Sequence, residues 1–234
     1  MGKKIITNLK NSVYEIILNN PAKMNCMGIQ MLQELLEAIE HAENNNSINI
    51  VVIKGEGEKA FSSGADLNEF RSLTDEEVYK WVEFGNEVFN KIENFKKPTI
   101  AFINGYAIGG GLELALACDF RVGTETTIIS CPELQHGWLP GWGGMSRLRR
   151  LTGEVRAKEI IMLGEKISAS EALKIGLLNR IDSKDKVELK KLIEQLIKLK
   201  PKSFELAKKI LQDTKRTTEG IDVKFDALAT QIIK

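Results

Sequence analysis

AFINGYAIGGGLELALACDF, residues 101–120, decides the fold because its pattern changes in the middle. Thr99 to Asn104 is a short apolar run, which predicts a buried strand. From Leu112 onward the residues are helix formers, apolar except for the single acid Glu113. Between them stand Gly109, Gly110 and Gly111, which weaken either element and so mark a strand-to-helix turn. The first N–H groups of a helix lack partners and carry partial positive charge, and glycine lets another group approach them. Such a turn is a ready oxyanion site. It is equally a way to pack a strand tightly on a helix, and the stretch alone leaves both readings open.

Other glycine-rich motifs fail on spacing. A dinucleotide fingerprint would need a third glycine where Leu114 stands, and a P-loop would need Lys and Ser/Thr where Leu112 and Glu113 stand. The nucleophile elbow G-x-S-x-G is absent. His41 and His136 suggest no Ser-His-Asp set, and Cys118, inside an apolar run, reads as a small core residue.

Outward from the turn, strands and helices alternate. Tyr14–Asn19 and Ile48–Lys54 read as strands, and Ile29, Leu32, Leu36, Ile39 and Ala42 recur between them at helical spacing until the Asn44–Asn46 cluster. A second helix starts at the acids Asp75, Glu76 and Glu77 and carries Trp81, Val88, Ile92 and Phe95 as far as Pro98. From about Gly144 the chain is helix-rich, with a capping box predicted at Ser168–Glu171. This alternation predicts an α/β core with parallel strands and a helical C-terminal extension.

The 234 residues are 43% hydrophobic, enough for one large core, and 33 Lys+Arg against 32 Asp+Glu leave a net charge of +1. That balance argues against nucleic-acid and anionic-membrane partners. With no signal-like N-terminus or uninterrupted apolar span, the expected setting is cytoplasmic, without a membrane segment. Cys26, Cys118 and Cys131 are widely spaced and there are only two histidines, so neither a disulfide framework nor a metal site is expected.

Two further stretches break the tie at the glycines. KAFSSGADLNEF, residues 59–70, is alone an ordinary loop with Asp66 as a helix cap. CPELQHGWLPGWGGMSRL, residues 131–148, is alone a glycine-rich loop carrying Glu133. With GGGLEL between them, and in this order, the chain resembles the crotonase (enoyl-CoA hydratase/isomerase) superfamily, most closely its enoyl-CoA hydratases. The likeness runs from about Ile16 to Ile181. It includes Asn20–Asn25, Lys97-Pro98 and Ala169-x-x-Ala172-x-x-x-Gly176-Leu177.

The resemblance implies a ββα spiral core over residues 1–180, holding a thioester site. It assigns residues 181–234 to a shortened helical, trimerising C-terminal region, and a homotrimer or hexamer as the assembly. It implies an acyl thioester substrate, of coenzyme A or an acyl carrier protein, with no separate cofactor. The carbonyl oxygen would lie between the N–H groups of Ala65 and Gly110, and Glu113 and Glu133 would be the catalytic pair that adds water to an enoyl group. Lys23, Met24, Ser63, Ala65, Asp66, Leu67, Gly109, Pro140 and Gly141 would contact the thioester and its carrier, with adenine near Ser63–Leu67. For Lys23, an ordinary solvated lysine is an equal alternative. Trp138 and Trp142 are candidate acyl-pocket walls or core residues, and Phe102 is expected in the core. The same enolate chemistry serves double-bond isomerases and methylmalonyl- or ethylmalonyl-type decarboxylases. A non-catalytic or RNA-binding homologue is disfavoured by the acid pair and the balanced charge. The shortened C-terminus, with a helix expected at 217–233, puts the cover over the site and the hexamer in question.

Overall fold

The computed structural model of the chain describes residues 2–183 and 185–212; the helix expected at 217–233 lies outside these. The order of elements is β1 (Ile5–Lys10), β2 (Val13–Leu18), α1 (Ile29–Asn44), β3 (Ile50–Gly55), β4 (Ala60–Ser62), α2 (Leu67–Phe70) and α3 (Asp75–Glu93). Then come β5 (Thr99–Ile103), β6 (Tyr106–Ile108), α4 (Gly110–Ala117), β7 (Phe120–Thr124), β8 (Ile128–Ser130) and α5 (Gly144–Leu163). The described chain closes with β9 (Ile167–Ser168), α6 (Ala169–Lys174), β10 (Arg180–Asp182), α7 (Val187–Ile197) and α8 (Pro201–Gln212).

Two sheets share the strands. One runs β1-β2-β3-β5-β7-β10, the other β4-β6-β8-β9. The pairs β3/β4, β5/β6 and β7/β8 each give one strand to either sheet before the chain enters helical turns, so the backbone winds as a ββα spiral. All pairings are parallel except β1–β2 and β8–β9. Parallel strands need crossovers, and α1, α3 and α4 supply them.

The central strands are covered on both faces. Val51, Ile53, Ala101 and Ile103 join the main core with α1, α3 and α4, while Ile50, Val52, Ile100 and Phe102 face the other way onto Leu189, Leu192 and Leu196 of α7. Phe102 is thus a core residue, as expected, and lies on the α7 side of its sheet. Strand β10 spans the 180/181 boundary and pairs with β7, so the core sheet extends to Asp182.

Helix boundaries follow local chemistry. Thr74 caps α3 in a reciprocal box with Glu77, whose carboxylate accepts from the Thr74 N–H at 2.8 Å. Asp66 accepts from Asn68 N–H and caps α2, as the loop sequence suggests. Ser168 accepts from Glu171 N–H at 3.4 Å to start α6. Lys208 of α8 reaches back to Asp119 at 2.8 Å and to the Phe95 carbonyl at 2.8 Å, which ties that helix to the segments leading into β7 and β5.

Candidate active site

Gly109 makes the turn from β6 into α4. Its backbone, at φ 53 and ψ −123, is closed to residues with side chains, and a Cβ there would sit 2.7 Å from Glu133 Oε1. Gly111 permits close packing, since a Cβ would come within 2.2 Å of the Ser62 carbonyl oxygen. The tight-packing reading of the glycine cluster therefore holds at Gly111, and the backbone of Gly109 opens the start of α4.

The opened helix end faces a second loop. Met27 bridges to Ala65: its N–H donates to the Gly64 carbonyl at 2.7 Å and its carbonyl accepts from Asp66 N–H at 2.9 Å. The Ala65 N–H is left on the other side of the strand-like segment. A Cβ built on Gly110 would be 3.4 Å from that nitrogen, so the Ala65 and Gly110 backbones are neighbours. Among the described residues, neither Ala65 N–H nor Gly110 N–H meets a hydrogen-bond acceptor.

Glu113 projects from the first turn of α4 and is 3% exposed. Its Oε1 accepts two backbone bonds, from Trp142 N–H and Gly144 N–H, both at 2.8 Å. Burial pushes its pKa up to about 7; the two N–H donors and Arg147 oppose that push, and the nearby Glu133 adds to it. Glu133 begins a 3₁₀ turn, Glu133–His136, that follows β8. Burial raises its pKa too, and its Oε2 is buried without a protein partner. Two acids of raised proton affinity are thus held side by side, one fixed by donors and one with a free oxygen.

Ala65, Gly110, Glu113 and Glu133 line one cavity of ≈490 Å³. Its remaining wall is aromatic and apolar. Trp138 and Trp142 belong to it, as expected from the sequence, together with Leu67, Pro140 and Gly141. Phe70 and Trp81 also line it and link the two tryptophans: Phe70 meets Trp138 edge-on at 5.0 Å between ring centroids, and Trp81 meets Trp142 at 4.5 Å. Trp142 is only 2% exposed and seats its Nε1 against Gly85 of α3.

Sequence reasoning missed Phe70, Trp81, Leu139 and Met145. Trp81 was legible only as part of a helix's apolar stripe, which a core residue and a pocket wall produce alike.

The remaining candidates gather at the 20–25 and 62–67 loops. Ser63 N–H donates to the Met24 carbonyl at 2.9 Å, and Ser63 Oγ to the Lys23 carbonyl at 3.3 Å. Lys23 is half exposed, and its Nζ lies 2.9 Å from Asp66, which raises the lysine pKa through a hydrogen bond and charge attraction. Lys23 is therefore a solvated lysine that is ion-paired. An incoming anion would share it with Asp66.

A second cavity of ≈450 Å³ lies between Lys96–Pro98 and the α7–α8 turn, with Lys198, Lys200 and Phe204 in its wall. It shares no residue with the first and carries no acid. Among the described residues, no cluster of three His, Cys, Asp or Glu side chains is arranged to hold a metal ion, and no helix is long and apolar enough to cross a membrane.

Comparison with known proteins agrees with this architecture. Residues 8–230 match the family model for enoyl-CoA hydratase/isomerase. A short-chain-enoyl-CoA hydratase from Clostridium acetobutylicum is 37% identical over 177 residues, covering 76% of this chain and 68% of that protein. A crotonyl-CoA hydratase from Syntrophomonas wolfei is 34% identical over 197 residues, covering 83% and 76%. The crystal structure of an enoyl-CoA hydratase from Bacillus anthracis superposes with a TM-score of 0.91 at 32% identity, over 97% of this chain and 90% of that one. With fold, motif order and these likenesses in agreement, the chain belongs to the enoyl-CoA hydratase/isomerase family and is an enzyme of the crotonase fold.

Proposed function

We propose that the chain hydrates a short trans-2-enoyl-CoA thioester. The observation that carries this reading is the pairing of two acids in one cavity with two unengaged backbone donors. The thioester carbonyl oxygen accepts from Ala65 N–H and Gly110 N–H. A water beside Glu113 gives that carboxylate its proton as the oxygen bonds to the β carbon. The electron pair of the double bond moves to the carbonyl oxygen, forming an enolate that the two N–H groups hold. Glu133, protonated, then delivers its proton to the α carbon, and solvent exchange returns the proton taken by Glu113. A preorganised donor of this kind is worth about 10²–10³ in rate, and each positioned acid or base about 10²–10⁴.

Coenzyme A enters as part of the substrate, and no separate cofactor takes part. Lys23, Met24, Ser63, Asp66 and Leu67 receive the carrier, with Gly109, Pro140 and Gly141 along the thioester. The aromatic wall of Phe70, Trp81, Trp138 and Trp142 receives the acyl group. The short-chain and crotonyl substrates in the names of two relatives support a short acyl chain. That same wall favours one second reading, since bulky apolar walls suit decarboxylation of a branched malonyl-type thioester through the same enolate.

Crotonyl-CoA and methylmalonyl-CoA assayed side by side separate the two. Loss of the conjugated enoyl absorbance without carbon dioxide release is expected. Rapid carbon dioxide release with no hydration of any enoyl thioester would replace the hydratase by the decarboxylase.

A further inference from the structure

The two donors that hold Glu113 belong to peptide groups that are themselves held. Trp142 N–H shares a planar peptide unit with the Gly141 carbonyl, and that carbonyl accepts from Asn86 Nδ2 of α3. Gly144 N–H shares its unit with the Gly143 carbonyl, which accepts from Ser146 Oγ at 3.0 Å and from Arg147 N–H at 3.2 Å. The carbonyl between them, of Trp142, accepts from Arg147 Nη1 at 2.6 Å. Arg147 is buried and anchored on α3 through Glu93 Oε2 at 2.8 Å and Asn90 Oδ1 at 2.7 Å. Asn86, Asn90 and Glu93 stand at i, i+4 and i+7, one stripe of that helix.

A buried guanidinium needs partners for its own sake, so the Arg147–Glu93 pair alone says little about chemistry. Asn86 is different. It is neutral, its second donor hydrogen already meets the Val82 carbonyl at 3.1 Å, and it sits 55 residues from the carbonyl it holds. One continuous chain results: Asn86 amide, Gly141–Trp142 peptide, Glu113 carboxylate. A bond to an amide oxygen polarises the amide and strengthens its N–H as a donor, and the rigid peptide transmits orientation as well.

We propose that Asn86 is a positioning residue for Glu113, acting through the Gly141–Trp142 peptide group. It touches no substrate. It aims the donor that fixes the carboxylate's rotamer, and it favours the ionised form that takes the proton from water. The inference rests on the proposed function in taking Glu113 as the reactive carboxylate. The titratable and charged groups around Glu113 are Glu133 and Cys131 from the β8 side and Arg147 from α5, with its partner Glu93 on α3. Asn86→Ala changes none of their charges.

The test is direct titration of Glu113 by carbon NMR on protein labelled at glutamate carboxyls, its signal identified by disappearance in Glu113→Gln. No substrate is needed, so a failed hydration assay would leave this readout intact. Asn86→Ala, with Asn86→Ser as a milder truncation, is expected to move the Glu113 titration upward by about one pH unit. At pH 6, kcat for crotonyl-CoA is expected to fall on the order of 10-fold while KM stays within about two-fold. Folded variants that titrate where wild type does, or that lose activity through KM alone, would overturn the proposal. Failure of both variants to fold would mark Asn86 as structural and overturn it as well.

Discussion

Glu113 is a carboxyl with opposed neighbours: burial and Glu133 favour its proton, while two N–H groups and Arg147 favour its charge. The balance near 7 sets two expectations. Activity that needs the Glu113 anion should decline in kcat as pH falls below about 7. A flat profile between pH 5 and 9 would contradict the assignment. The same value has a consequence for stability. The folded pKa lies above the unfolded one, so the folded state binds more protons between them. Stability from this group is complete below about 4.5 and is lost as pH rises through about 7, by roughly 3 kcal/mol. Glu113→Gln should therefore gain in stability relative to wild type between pH 5 and 8 in denaturant titrations, while hydration falls at least about 100-fold. Glu133→Gln should lose a similar amount of activity. Near-wild-type turnover in either variant would remove that residue from the mechanism.

Among the elements, α3 is the one whose role the sequence conceals. Its stripe of Val88 and Ile92, continued by Phe95 just past its end, reads correctly as core, yet its N-terminal half supplies Trp81 to the cavity, and Gly85 leaves room for the Trp142 indole. A Cβ on Gly85 would lie 2.1 Å from Trp142 Nε1. Gly85→Ala should displace that ring into the cavity and raise KM for the acyl group by about 10-fold or more, with an overpacking cost of about 1–3 kcal/mol. Unchanged KM and stability would mean that the ring relaxes elsewhere.

The glycine turn was legible for the opposite reason. Three adjacent glycines weaken both strand and helix and so mark the turn, although tight packing stays an equal reading until the flanking motifs are added. Strand β1 was missed because Ile5–Lys10 is an edge strand with only Ile5 buried, so it carries no apolar alternation. Asn86 was invisible because its meaning lies in a carbonyl far along the chain.

At the scale of the molecule, the order of three short motifs exposed the spiral, which composition alone did not. Alternation within β3 and β5 was unreadable, because strands covered on both faces present a continuous apolar run. Assembly is the next level. Beside the cavity residues Leu139 and Met145, Val155, Met162 and Leu163 of α5 are exposed, apolar surface of the kind that subunit interfaces cover. A trimer or hexamer is expected in light scattering at micromolar concentration, and a clean monomer would contradict that expectation.

The central claim, that two acids and two backbone donors add water across an enoyl group, is tested most directly by running the reaction on crotonyl-CoA in deuterated, oxygen-labelled water. The account predicts a product with labelled oxygen on the β carbon and one deuterium on the α carbon, formed together. Deuterium entering the acyl chain with no oxygen incorporation would contradict it.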